Sequence, residues 1–403
     1  MTSSMRDYLV ITAGYWAFTL TDGAIRMLVV LHFHSLGYST LEIASLFLFY
    51  EFFGIVTNLL GGWLGARIGL NKTMHIGMGL QVVALAMLTL PTAWLSVPYV
   101  MLAQALSGIA KDLNKMSAKA SVKSIVKEGA QASLFKWVAL LTGSKNALKG
   151  AGFFLGALLL HLFTFRGSLI ILASGLLLVL LLTYWLLPNH LGKAPQKPKF
   201  QHIFSNKPAI NRLSAARFFL FGARDVWFVV ALPVYLTQVL HWQEMQVGGF
   251  MALWVIGYGI IQAIAPKLLG SGTPGPTSAI VWALLLALFP AGIALSMQMP
   301  WPVATIIPTG LILFGAVFAI NSALHSYLIL AYADHDKVAM NVGFYYMANA
   351  GGRLVGTVLS GWVYTEGSLV ACLWVSSAFL LATGLISLSL PPMPAPEQSQ
   401  PQP

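Results

Sequence analysis

The sequence predicts an all-α integral membrane protein with twelve transmembrane helices in two six-helix bundles. Three observations lead there. Charged residues make up 9% of the chain and hydrophobic residues 57%, whereas soluble domains carry about 25% charged residues. The apolar runs have helix length, and about 20 such residues cross a bilayer with every backbone group satisfied internally. The longest polar interruption falls near the midpoint and leaves six runs on either side.

The first run, 8–32, follows a short polar start and is too long for a signal-peptide core, so no cleavable leader is expected. It carries Asp22 and Arg26 at i,i+4, which share a helix face. The second, 41–64, carries Glu51 and leads into GWLGARIGLNK, Gly62 to Lys72. The third is 73–92. The fourth, 97–118, holds Lys111, Asp112 and Lys115, with Lys119 completing an i,i+4,i+8 stripe. The fifth, 134–160, holds Lys145, Asn146 and Lys149 beside several glycines, and the sixth, 166–187, is apolar throughout. Residues 188–209, with Lys193, Lys197, Lys199 and Lys207 among prolines, read as a linker.

The second half runs 210–238 (Arg217, Arg224, Asp225), 246–269, 277–298, 302–330 (Asn321, His325), 338–363 (Asn349, Arg353) and 367–390. The tail PPMPAPEQSQPQP, 391–403, is Pro-rich and expected to be disordered. The domains are therefore 1–187, 188–209, 210–390 and 391–403. Of the 23 Lys and Arg only Arg166 falls in an outer loop, and the bias places both termini and the linker on the cytoplasmic side, with a bacterial inner membrane as the expected location.

Nine cations remain in or beside the spans: Arg26, Lys111, Lys115, Lys119, Lys145, Lys149, Arg217, Arg224 and Arg353. Four anions, Asp22, Glu51, Asp112 and Asp225, leave five positive charges in excess. Each charge facing lipid costs about 3 kcal/mol on insertion scales, so most must face a cavity or one another. Asp22 with Arg26, and Arg224 with Asp225, read either as structural pairs or as part of the path. Glu51 either pairs a lysine or takes a proton. Lys115 and Lys119 either line the path or snorkel to the inner surface. Lys145, Lys149 and Arg353 have no acid within a turn of their own helix.

A basic, partly desolvated cavity suits phosphate-like groups, because Arg offers a planar fork and Lys a compact point charge. A phosphomonoester carries about −1.5 to −2 at neutral pH, so two such ends nearly balance the excess. The expected partners are a small bis-anionic metabolite and the lipid bilayer. The binding set is Arg26, Lys111, Lys145, Lys149, Arg224 and Arg353, with Asn146 and Asn349 adding hydrogen bonds. Asp22, Glu51, Asp112 and Asp225 are the coupling or ion-pair candidates.

Other classes find no support. The net charge of +11 has no soluble domain to present it to nucleic acid. The single cysteine, Cys372, excludes an intrachain disulfide and a multi-thiolate metal site. His32 and His34 at i,i+2 point apart on a helix, so an interfacial role is expected and no metal. No catalytic motif, nucleotide loop or cofactor motif is found, and a monomer that is not an enzyme is expected.

Two resemblances extend these readings. The segment around Asp22 to Gly54 echoes that around Asp225 to Gly259, and a parallel six-helix repeat with a basic central loop resembles the major facilitator superfamily. Gly62, Arg67 and Gly69 match that superfamily's loop between helices 2 and 3, with Ala66 and Leu70 in place of its Asp and one basic residue. The resemblance implies a conformational role for this loop. It also implies that helices 1, 4, 7 and 10 line a central path, flanked by 5 and 11.

More closely, YWAFTLTDGAIRMLVVLHFHSLGYSTLEIA (15–44), ALSGIAKDLNKMSAK (105–119), LTGSKNALKGAGFFLGALL (141–159) and SAARFFLFGARDVWFVVALPVYL (214–236) resemble the ArsJ organoarsenical efflux permeases. That resemblance implies alternating-access export of 1-arseno-3-phosphoglycerate, supplied by glyceraldehyde-3-phosphate dehydrogenase, and arsenate resistance. The charge inventory alone does not choose arsenic over phosphorus. An organophosphate exchanger of the same fold stands as the alternative.

Overall fold

A computed structural model describes residues 3–38, 40–124, 126, 130–188, 207–270, 274–334 and 337–393. The expected linker core and nearly all of the expected tail lie outside these residues. The described chain forms helices α1 (Ser3–Ser35), α2 (Thr40–Ser45), α3 (Leu48–Ile68), α4 (Leu70–Met87), α5 (Val97–Ser121), α6 (Gln131–Leu162) and α7 (Phe165–Leu186). The second half adds α8 (Pro208–Phe228), α9 (Ala231–Gln238), α10 (Glu244–Leu268), α11 (Pro276–Ser296), α12 (Val303–Tyr332) and α13 (Val338–Ser387).

These are the twelve expected crossings, two of them broken and two of them joined. The second crossing is α2 with α3. The seventh is α8 with α9, interrupted at Val229 and Val230, where Pro233 has no N–H to bond back to the Val229 carbonyl. Ser360 of α13 repairs the break, its Oγ accepting from Ala231 N at 3.0 Å and Val230 N at 3.4 Å. The last two crossings form α13, which turns at Gly367 and Ser368, where the backbone leaves helical geometry.

Among the described residues, six segments are long and apolar enough to span a membrane by length and composition: α7, 208–238, 246–268, α11, α12 and α13. The helices α1 and α3 to α6 fall short because they carry the charges and polar residues noted above.

Between α3 and α4 the loop is a single residue, Gly69, at φ 105° and ψ 152°. Only glycine adopts that region at low cost, so the hairpin depends on it. Arg67 lies with its guanidinium 5.1 Å from the Trp63 ring.

The apolar interior divides in a way that defines how the halves meet. One cluster joins both halves, with Met116, Phe135 and Val138 beside Leu324, Tyr327 and Val342. The other two clusters are private. One holds only first-half residues such as Leu28, Phe33, Leu85 and Leu169, and the other only second-half residues such as Trp227, Phe314 and Leu373. The halves therefore share a core at the end that carries Lys119 and have separate cores at the other.

Two helix pairs make most of the seam, α6 with α10 and α3 with α13. Both rely on glycine for close approach. A Cβ on Gly62 would lie 2.7 Å from the Ala339 carbonyl oxygen and 3.0 Å from Gly343 Cα, and one on Gly259 would lie 2.7 Å from the Gly143 carbonyl oxygen.

Candidate functional site

Each charged side chain is placed by a helix whose opposite face is apolar, so the charges turn inward to meet between the halves. Glu51 of α3 is the hub. Its Oε1 accepts from Arg26 Nη2 of α1 at 2.8 Å and from Arg353 Nη2 of α13 at 3.2 Å, and Lys111 Nζ of α5 lies 3.9 Å from its Oε2. One carboxylate thus bridges the two halves. Arg353 also donates through Nε to Asp225 Oδ2 at 3.0 Å, while Arg224 Nε donates to the other oxygen, Oδ1, at 2.6 Å.

Asp22 belongs to a second group. It accepts from the Tyr50 hydroxyl at 2.6 Å and sits 3.4 Å from Lys149 Nζ. Asp112 is held within its own helix by Lys115 at 2.5 Å and Lys111 at 3.7 Å. Arg26, Glu51 and Arg353 keep about a quarter of their side-chain surface exposed. The centre of the seam is therefore partly accessible to solvent.

Several expectations need correction. Arg26 pairs with Glu51, not with Asp22 one turn away on its own helix. Lys149 and Arg353 are neutralised after all, by Asp22, Glu51 and Asp225 from other helices. Asn146 is occupied, its Nδ2 donating to Gln262 Oε1 at 2.6 Å while its Oδ1 accepts from Lys145 Nζ at 3.2 Å. Asn349 is buried and accepts from Arg217 Nε at 2.9 Å, so it orients a cation instead of facing the path. Asn321 donates to the Trp282 and Val317 carbonyls and serves packing. Lys119 does not snorkel, since it is only 4% exposed.

After these corrections the excess is specific. Among the described residues, six cations share the four acids, and Lys119, Lys145 and Arg217 have no carboxylate partner. Lys145 stands beside the paired cations of the centre. Lys119 and Arg217 lie deeper, toward the shared core.

Sequence reasoning missed Tyr50. Its ring lies 4.2 Å from Arg26 Cζ and 3.9 Å from Lys111 Nζ, so both cations rest on its π face, and its hydroxyl fixes Asp22. The residue is hidden in the run LFLFYEFFG, where its neighbours Phe49 and Phe52 are exposed at the protein surface. Tyr50→Phe keeps the ring and removes one charge-assisted hydrogen bond, about 1.5 kcal/mol. Turnover is expected to fall roughly tenfold, with thermal stability lowered by no more than that one hydrogen bond. Uptake assays with purified variant in vesicles check this, and wild-type rates would remove Tyr50 from the site.

The arrangement holds partly exposed cations over shared acids at a two-halved seam, which suits exchange of an anion for the internal carboxylates. Comparison with known proteins bears on the fold. A family model for the Major Facilitator Superfamily matches residues 11–334. The human organic anion transporter MFSD10 (TETRAN) is similar in structure at TM-score 0.77 and 16% identity, over 96% of this chain and 100% of that one. The proton:xylose symporter XylE, bound to 6-bromo-6-deoxy-D-glucose, gives 0.75 at 14% identity over 96% of both chains. A bacterial homologue of the iron transporter ferroportin, in an outward-facing state, gives 0.75 at 15% identity over 96% and 99%. No curated protein sequence matches.

Proposed function

Because the chain belongs to the major facilitator superfamily, we propose that it is an efflux transporter for a small bis-anionic ester of the phosphate and arsenate class. The observation that carries this reading is the converging set Arg26, Lys111, Lys145, Lys149, Arg224 and Arg353, in which the available carboxylates are shared and one cation has none. An incoming oxyanion competes with Glu51, Asp22 and Asp225 for cations already in place, so its charge is balanced without bringing a further cation into the membrane.

The positive-inside bias of the loops assigns the Lys119 end to the cytoplasm. On that assignment the shared core faces the cell and the separate cores face the outside, an arrangement that suits an exporter which has just released its cargo. Alternating access then requires the shared core to part and the separate cores to come together. The basic loops attract anions from the cytoplasmic side.

Within this class, the motifs at 15–44, 105–119, 141–159 and 214–236 favour 1-arseno-3-phosphoglycerate, in a bacterial inner membrane, with glyceraldehyde-3-phosphate dehydrogenase as the supplier. Its two tetrahedral oxyanion ends fit a cluster split between an Asp22–Lys149 group and a Glu51–Arg353–Asp225 group. An organophosphate exchanger uses the same residues. The test is uptake of the enzymatically generated arsenate ester into inverted vesicles with 3-phosphoglycerate and phosphate as competitors. Saturable uptake that tenfold excess phosphate leaves largely intact is expected. Uptake of 3-phosphoglycerate alone would replace the arsenate reading by the exchanger, and uptake of neither would end the oxyanion assignment.

A further inference from the structure

Below the central cations lies a second polar layer that the transport cycle as described does not use. Lys119 of α5 donates to Thr142 Oγ1 of α6 at 2.7 Å and to Ser326 Oγ of α12 at 3.3 Å. Arg217 of α8 donates to Asn349 Oδ1 at 2.9 Å and to the Ser322 carbonyl at 3.4 Å, with its guanidinium carbon 3.8 Å from the Phe221 ring. The two cations are bridged by aromatic faces: Lys119 lies over Tyr346, Arg217 over Tyr345, and those rings stand 5.0 Å apart. Both cations are almost completely buried.

Neither has a carboxylate partner among the described residues, so two like charges stand buried in one layer, joined through the Tyr346 and Tyr345 rings. His325, next to Ser326, is fully buried with neither ring nitrogen hydrogen-bonded, and the Tyr345 hydroxyl is likewise without a partner. Burying two like charges on neutral oxygens is costly, several kcal/mol per ion even after relaxation. An apolar pair would close the seam better. The arrangement makes sense if these groups meet an anion in another state of the cycle, when the shared core parts and the Lys119 contacts to Thr142 and Ser326 are released.

We propose that Lys119 and Arg217, with His325 and the Tyr345 hydroxyl, form a second oxyanion site one layer below the central cations. It receives one tetrahedral end of the substrate from the Lys119 side before transfer to Lys149 and Arg353. Lys119 then has two alternating partners: the hydroxyls of Thr142 and Ser326 when this end is closed, the oxyanion when it is open. The proposal rests on the transporter reading for its purpose, and on binding alone for its test.

Full-length protein in vesicles, with Cys372→Ala and Ser326→Cys, provides a single thiol beside Lys119, and a maleimide is supplied from the Lys119 side. Inorganic phosphate at about four times its dissociation constant is expected to slow alkylation about fivefold. Lys119→Gln and Arg217→Gln should each abolish that protection, and Lys119→Arg should keep it. Protection that survives Lys119→Gln, or is absent in the parent, overturns the inner site. Thermal unfolding of each variant separates lost binding from lost fold, and Lys119→Arg decides the matter if the Gln variant does not fold. Protection without transport of any organic oxyanion removes the transporter reading and leaves the site. Transport with protection indifferent to Lys119 removes the site alone.

Discussion

Replacing Arg353 by Gln lowers transport by about a hundredfold, from loss of roughly 3 kcal/mol of charge-assisted contact, while the protein still folds and inserts. The fold survives because no acid is stranded. Asp225 keeps Arg224, and Glu51 keeps Arg26 with Lys111 nearby. Transport falls because, among the described residues, Arg353 alone ties the Asp225 group to Glu51, and thereby the second half to the first at the level of the central cations. Arg353→Lys restores the charge but not the two-oxygen fork, so partial rescue is expected. Initial uptake rates in vesicles, beside thermal unfolding of the purified variants, measure both effects. Full uptake by Arg353→Gln would make the residue purely structural.

Gly62→Val is the second large effect, and it acts on conformation. The new side chain meets the Ala339 carbonyl and Gly343 across the α3–α13 seam, backbone that no rotamer change can move aside. Overpacking of this kind costs about 2 kcal/mol, a roughly thirtyfold shift of the equilibrium toward the state in which the Lys119 end is open. Uptake should nearly cease, because a carrier held on one side cannot complete its cycle. Alkylation of the Ser326→Cys reporter from the Lys119 side should accelerate by the same factor. An unchanged alkylation rate would show that this glycine contact does not govern closure.

The fold was legible because lipid imposes a simple rule on composition: twelve runs of helix length emerge from charge scarcity alone. The breaks were less so. Pro233 was visible within 210–238, but its repair by Ser360 depends on a residue about 130 positions away. The site was half legible for the same reason. Spacing along a helix names neighbours on that helix, so Asp22 and Arg26 read as a pair, and the arrival of Glu51 beside Arg26 and of Lys149 beside Asp22 needed the packing of α1 and α3 on α5 and of α1 on α6. Asn146 and Asn349 carry the right chemistry for the path but are held by Gln262 and Arg217. Tyr50 could have been noticed as the polar-tipped aromatic next to an embedded Glu. Gln262, alone in an apolar stretch of α10, carried a similar signal.

The division of the apolar interior into one shared and two private clusters has a consequence for tolerance to change. Substitutions in separate private cores, such as Leu169→Ala and Leu373→Ala, are far apart and should combine additively in a double-mutant cycle. Met116 and Leu324 belong to one cluster contributed by both halves, so variation at one restricts what the other can become. Drift can thus proceed independently in each half at one end of the molecule, and only in concert at the other.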